Sequence, residues 1–411
     1  MGPISGMNQP RPEEPRARFL IELARALGTY GTSSHRLEEV VAVCAQEIGL
    51  RAQTFSTPTS VFVSVESESG LSTYLARAVP GEVDISKMME IDRVFNAVIE
   101  KKMLPEEGTG EIKRVVNLPG LYPAWLTVVA FGIVSACVGN FLGGGYREMF
   151  ASLIVGMVVG LLVMFTGRNR EFSRLMEFLA GLSAALVSGA LAGVFDGYMP
   201  AVAAMAGLIV LLPGLTFTIA MVELATKHVV SGTARLAGAL MVMLVIGFGY
   251  VIGQRGAEIL VGVREVVVAE PTAWYVDVVS ILVSTVCMAV LFQARMKHAW
   301  VMVVAGFLAF YSARYGAMYL GPEVGGLGAA LVIGCASNLY ARLFDRPAMT
   351  MMLPGLLMLV PGALGLRSLQ LFMQNDTVDG MQSAFTVLVV GVAIVVGLLL
   401  SNVVLPPRKV L

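Results

Sequence analysis

The sequence predicts an α-helical polytopic membrane protein with a soluble α+β domain at its N-terminus, and three observations predict it. The 411 residues are 56% hydrophobic and only 14% charged, where soluble proteins carry about a quarter charged residues. The charge is also unevenly placed: residues 1–121 hold 13 Lys/Arg and 16 Asp/Glu, and the other 290 residues share 16 and 13. Beyond residue 121 the chain divides into ten apolar runs, each near the roughly 20 residues that a bilayer span needs. Zero net charge argues against an electrostatic grip on nucleic acid. Four scattered cysteines without a CxxC pair and three histidines give no metal-ligand spacing. Neither a metal nor another cofactor is expected.

In chain order, residues 1–15 are polar and Pro-rich and read as a disordered N-terminus, without the basic stub and apolar core of a signal peptide. Residues 16–118 read as the soluble domain. Phe19, Leu20, Leu23, Ala24 and Leu27 make one helical stripe, and Leu37, Val40, Val41, Cys44 and Ile48 a second. Between them, Ser33 or Ser34 followed by Glu38 or Glu39 resembles a capping arrangement. Two strands are expected at 51–66 and 71–79, where Val61, Val63 and Val65 alternate with Phe62, Ser64 and Glu66. A helix follows from about Asp84 to Lys102.

The apolar runs lie at 122–142, 147–166, 173–194, 199–226, 231–253, 274–294, 298–319, 324–343, 348–373 and 381–404. With the N-terminal domain in the cytoplasm, eleven basic loop residues face inside and Arg147, Arg255, Arg264, Arg314 and Arg367 face outside. That positive-inside bias makes both termini cytoplasmic, including a tail at 405–411. The runs also repeat. Gly181–Gly189 resembles Gly326–Gly334 at an offset of 145, Leu212-Pro213-Gly214 resembles Val360-Pro361-Gly362 at 148, and Ala124-Trp125 resembles Ala273-Trp274 at 149. Five helices per copy, at 122–254 and 274–404, would make the second copy an inverted repeat.

Proline breaks a helix, and in lipid the freed backbone groups need protein or a water-filled cavity. Pro213-Gly214 interrupts a run too long for one straight span, and Pro361-Gly362 interrupts its counterpart, with Pro354-Gly355 just before it. Half-helices meeting near the midplane offer free N–H groups and a positive dipole end to an anion. The expected substrate site is therefore the backbone at Pro213, Gly214, Pro361 and Gly362, with Thr216 and Thr218, binding the carboxylate of a small amino or organic acid. Asn140 and Asn338, amides within or near apolar spans, are further candidates.

Charge inside a bilayer is costly and usually functional. Glu223, four residues before Lys227 and beside His228, is the expected proton-handling group, although that spacing also suits an ordinary helix ion pair. Asp196, Glu177 and Asp277 fall nearer segment ends and read as interfacial. No GxxxxGK[ST] motif is present, so ATP hydrolysis is not expected. A membrane-anchored enzyme is the competing reading, with Ser33, Ser34, His35 and Glu38 as hydrolytic groups. Neighbours on one helix do not arrange themselves as nucleophile, base and orienter. Gly156 and Gly160 would pack helices within one subunit or between copies of a homo-oligomer.

Gly31-Thr32-Ser33-Ser34-His35-Arg36-Leu37-Glu38-Glu39, followed by Thr57-Pro58-Thr59, resembles the N-terminal signature of the bacterial threonine/serine exporter family. The likeness covers essentially the whole chain, with Tyr30-Gly31-Thr32 standing where the family often has His-Gly-Ala. It implies a cytoplasmic domain before about ten transmembrane helices in the bacterial inner membrane, and proton-coupled efflux of threonine, serine or a related metabolite. Related two-subunit exporters carry succinate, the alternative substrate. The resemblance also implies that Arg36, Glu38, Thr57 and Thr59 either hold the domain together or gate and contact solute.

Overall fold

The computed structural model describes residues 14–406 other than 68–69, 79–80, 82, 168–169, 196, 263–271, 360–364, 367, 369–370 and 372–376. The N-terminal domain is two helices, a three-stranded sheet and two more helices. These are α1 (Pro15–Thr29), α2 (Ser34–Glu47), β1 (Arg51–Thr57), β2 (Ser60–Ser67), β3 (Gly70–Arg77), α3 (Ile85–Ile99) and α4 (Pro105–Val116). The sheet is an antiparallel meander in the order β1-β2-β3. Its period-2 pattern turns Val61, Val63 and Val65 inward onto Phe19, Leu20, Leu23, Leu37, Val40 and Ile91.

Two expectations change here. The run 51–66 is a hairpin rather than one strand, because Pro58-Thr59 turns the chain so that Thr57 pairs with Ser60. A fourth helix, α4, follows the third. It can cross α1 closely because Gly108 has no side chain: a Cβ there would lie 2.8 Å from Phe19 and 2.9 Å from Val98. Between α1 and α2, Gly31 takes φ +84°, a left-handed conformation that glycine adopts at little cost.

The membrane part contains α5 (Ala124–Phe141), α6 (Tyr146–Thr166), the single turn α7 (Arg170–Ser173), α8 (Met176–Leu191), α9 (Pro200–Leu208), α10 (Gly214–Ala225) and α11 (Val229–Val261). It continues with α12 (Trp274–Leu291), α13 (Ala299–Leu320), α14 (Pro322–Phe344), α15 (Met349–Leu359) and α16 (Thr377–Val404). Among the described residues seven helical stretches are long and apolar enough to cross a membrane. Shorter apolar helices stand at Met176–Leu191, Gly214–Ala225 and Met349–Leu359. The expected run 199–226 is broken between α9 and α10, and Pro213 directly precedes the second half-helix. By contrast Pro354 sits inside continuous α15. Helix α11 runs to Val261, past the expected end at 253–254. Pro361 and Gly362 lie outside the described residues.

The two halves pack alike. Helix α5 lies against α6 as α12 lies against α13, and α8 against α11 as α14 against α16. The contacts correspond residue by residue. A side chain on Gly253 would strike the Leu182 carbonyl and approach Ala185; one on Gly397 would strike the Leu327 carbonyl and approach Ala330.

The N-terminal domain sits on one end of the bundle. The Ile85 N–H donates to the Phe292 carbonyl at 2.9 Å. The Tyr122 hydroxyl donates to the Ala294 carbonyl at 2.7 Å, and Arg295 pairs with Glu90 at 3.0 Å.

Candidate functional site

Among the described residues, two polar sites stand out in the bundle. The first is a cavity of about 1250 Å³ with mostly apolar walls. Ile209, Val210, Leu211, Leu212, Pro213, Gly214, Leu215 and Thr216 line it, so it surrounds the break between α9 and α10. A helix that begins at Gly214 leaves first-turn N–H groups without helical acceptors, and Leu215 and Thr216 both face the cavity. The lining includes Thr127 and Asn140 on α5, so the cavity follows that helix for about 20 Å at 1.5 Å per residue. Glu177, at the start of α8, also lines it.

The charged part of the wall was not expected. Asp277, read as interfacial from the sequence, lines the cavity together with Arg314, Asn140 and Thr272. Arg314 donates to Asp277 Oδ2 at 2.5 Å, and the Asn140 amide donates to Asp277 Oδ1 at 2.7 Å. The Thr272 hydroxyl donates to Asn140 Oδ1 at 2.5 Å. Arg314 also lies over the Phe310 ring, 5.7 Å from its centre. Asp277 sits in the first turn of α12, whose far end meets the N-terminal domain. This cluster therefore lies about 25 Å away, at the opposite end of the bundle.

The second site is the junction between the N-terminal domain and the membrane part. It joins the Gly31–Glu39 signature to α10 and α11. Glu223 is fully buried. Its Oε1 accepts from the Ser34 backbone N–H at 2.7 Å and from Arg235 Nε at 3.1 Å, while Oε2 has no hydrogen-bond partner among the described residues. The Ser34 and Ser231 hydroxyls lie 2.6 Å apart, and the Ser56 hydroxyl donates to Ser34 Oγ at 3.2 Å. Glu38 accepts from the Ser56 N–H at 2.8 Å and lies 3.4 Å from His228 Nε2. Arg235 reaches back to the Thr32 carbonyl at 3.4 Å.

The expected local cap is thus replaced. Ser33 makes no side-chain cap, and a first-turn N–H of α2 is satisfied by a carboxylate from the membrane part, which also suits the helix dipole. His35 packs beside His228, ring centres 6.0 Å apart. Burial pushes its pKa down to about 4, with Arg36 and His228 adding to the effect and Glu223 opposing it. Burial also lowers Arg36, against the pull of Glu39 and Asp92.

Of the other expected residues, Lys227 is not gathered into this junction. Helix α10 ends at Ala225, and Lys227 takes a left-handed φ of 66° in the turn, so the i,i+4 pair with Glu223 does not form and Arg235 replaces it. Thr57 closes the β1–β2 turn through Ser60, at 2.8 Å between hydroxyls, and the Thr59 carbonyl accepts from the Ala78 N–H. Thr218 is buried and bonds back to the Gly214 carbonyl at 3.2 Å. Asn338 ties α14 to the end of α16 through Asn402 and the Leu405 carbonyl, at 3.0 and 2.8 Å. Asp196 lies outside the described residues. Sequence reasoning missed Arg235, Asp277 and Arg314 as site residues; their charge inside or beside apolar runs was the available signal.

Comparison with known proteins agrees with this architecture. The chain is 25% identical over 384 residues to the pheromone-regulated membrane protein 10 of Pichia sorbitophila, covering 90% of this chain and 38% of that protein. To its namesake in Eremothecium gossypii it is 26% identical over 419 residues, covering 95% and 56%. The chain therefore spans roughly two fifths to just over half the length of these relatives. No solved structure matches it. The family model of the threonine/serine exporters matches residues 18–255, and a second threonine/serine exporter model matches residues 277–404. This chain belongs to the threonine/serine exporter family.

Proposed function

We propose that this protein is a secondary exporter that carries threonine, serine or a closely related small carboxylate through the cavity at the broken helix, driven by the proton gradient. The observation that carries the reading is the placement of the Pro213-Gly214 break in the cavity wall. Backbone N–H groups freed by a break are tolerable inside a membrane only where protein, water or a ligand satisfies them. Gly214, Thr216 and Asn140 lie in that wall, and the substrate carboxylate is assigned to the N-terminus of α10. Pro361 and Gly362 are its proposed counterparts in the second half.

The proposed architecture is ten crossings in two inverted five-helix repeats, with α9 and α10 together making one broken crossing. Its support is the matched packing of the halves, above all Gly253 on Leu182 and Gly397 on Leu327. The positive-inside excess supports both termini being cytoplasmic, in the bacterial inner membrane. Glu223 is the proposed proton carrier. It lies on the half-helix that starts at the break, and a proton on its carboxylate would weaken its hold on Ser34 and Arg235. Movement of α10 and release of the N-terminal domain would then be coupled, with His228 and Glu38 as neighbours in the same junction.

The test is efflux of labelled threonine, serine and succinate from proteoliposomes, with and without an imposed proton gradient. Gradient-dependent efflux that Glu223→Gln stops in folded, inserted protein is the expected result. Efflux indifferent to the gradient would remove the role given to Glu223. Failure to move any of the three would overturn the exporter reading and return attention to chemistry in the N-terminal domain.

A further inference from the structure

We infer that Asp277 and Arg314 read the two charges of a zwitterionic α-amino acid at the end of the cavity away from the N-terminal domain, so that this pair selects amino acids over dicarboxylates. The inference deepens the exporter reading and rests on it. Among the described residues that line the cavity, Arg314 is the one cation and Asp277 and Glu177 are the carboxylates. Glu177 starts α8; only Asp277 and Arg314 stand together. Four chain segments converge on them: Asn140 from α5, Thr272 from the stretch before α12, Asp277 from α12 and Arg314 from α13.

The pair is built to stay open. Arg314 keeps 57% of its side chain exposed and Asp277 20%, unlike a sealed internal bridge. One guanidinium nitrogen is spent on Asp277, while the fork of an arginine offers five N–H donors in a plane that matches a carboxylate bidentately. Asp277 has one oxygen on Arg314 and the other on the Asn140 amide, and each oxygen can accept again. Asn140 is itself fixed by the Thr272 hydroxyl, which orients the acid. An α-amino acid can therefore stop here first, its carboxylate on Arg314 and its ammonium on Asp277, exchanging one ion pair for two, before the carboxylate moves on to the N-terminus of α10. A dicarboxylate such as succinate would bring its second negative charge against Asp277, an arrangement with no compensating cation among the described lining residues.

Equilibrium binding of labelled serine to purified full-length protein tests this without depending on flux. Competition would come from unlabelled threonine, succinate and glycerate, in which a hydroxyl stands in place of the serine ammonium. The wild-type protein is expected to bind serine and threonine at least tenfold more tightly than glycerate or succinate. Asp277→Asn should lower the serine-to-glycerate preference at least tenfold while glycerate still binds, and Arg314→Gln should weaken all of these carboxylates at least tenfold. A change in preference is a readout that loss of folded protein does not produce. If Asp277→Asn does not fold, the pair Asn140→Asp with Asp277→Asn keeps one carboxylate in the same hydrogen-bonded couple, and the Arg314→Gln comparison stands beside it. Wild-type binding of serine with preferences unchanged in the variants would overturn this inference and leave the exporter reading intact. No binding of any of these solutes by the wild-type protein would overturn both.

Discussion

Two carboxylate–arginine pairs stand at opposite ends of the bundle, and their surroundings differ more than their chemistry. Glu223 and Arg235 are 0% and 10% exposed and close the junction beneath the N-terminal domain. Asp277 and Arg314 are 20% and 57% exposed and face the cavity. A buried pair has given up its water, so removing one partner strands a desolvated charge. A solvated pair loses little when broken, because water replaces the partner. The first arrangement suits a latch between two bodies and the second a group that exchanges partners with a ligand.

The sharpest way to break that comparison is to cut each pair once and measure stability. Glu223→Ala should cost about 3–5 kcal/mol, since it leaves Arg235 buried without its counter-charge and takes the acceptor from the Ser34 N–H. Thermal unfolding in detergent should show the loss, and limited proteolysis should show the N-terminal domain released. Arg314→Gln should change stability by no more than about 1 kcal/mol. Equal losses in the two variants would mean that exposure does not separate their roles.

Next in size is the pH response of the junction. His35 in the folded protein holds a pKa of about 4, whereas a free histidine titrates near 6.5. The released chain therefore takes up the proton first. The stabilisation is complete above about pH 6.5, drains away as the pH falls toward 4, and changes no further below that. The whole effect is worth up to about 3 kcal/mol. Arg36, His228 and Glu223 face His35, and Glu38 faces His228. Melting temperatures measured from pH 7 to pH 4 should fall for the wild-type protein and fall less steeply for His35→Gln. The Asp277–Arg314 end offers no histidine, so its binding preferences should not follow the same curve.

How much of this was legible in the sequence depends on how far apart the partners lie. The apolar runs, the two opening helices and the break at Pro213-Gly214 follow from local pattern, because periodicity and proline act over a few residues. The β1–β2 turn escaped because the alternation of Val61, Val63 and Val65 was extended back across the polar stretch from Ser56 to Ser60, where Pro58 was the available signal. The cap on α2 was misassigned to Ser33 and Ser34 because its true acceptor, Glu223, lies 189 residues away. Arg235 and Arg314 were counted only as loop charges, since nothing local says which helix becomes a neighbour. Asn140 and Asp277 meet across 137 residues. Glu223 itself was legible as a costly intramembrane charge, but its partners were not.

The smallest expected effect separates two amides that look alike in the sequence. Asn338 bonds Asn402 and the Leu405 carbonyl, joining α14 to the end of α16, and it does not line the cavity described here. Asn140 bonds Asp277 and Thr272 in the cavity wall. A side-chain hydrogen bond between membrane helices is worth about 0.6 kcal/mol on average, so Asn338→Ala and Asn140→Ala should each lower stability by about 1 kcal/mol. Efflux should divide them. Asn338→Ala should export at the wild-type rate once corrected for folded protein, whereas Asn140→Ala frees the Asp277 carboxylate to turn and should lower efflux about tenfold. The same loss of efflux in both would trace transport to the general packing of the bundle, and the distinction drawn between latch and reader would lose its footing.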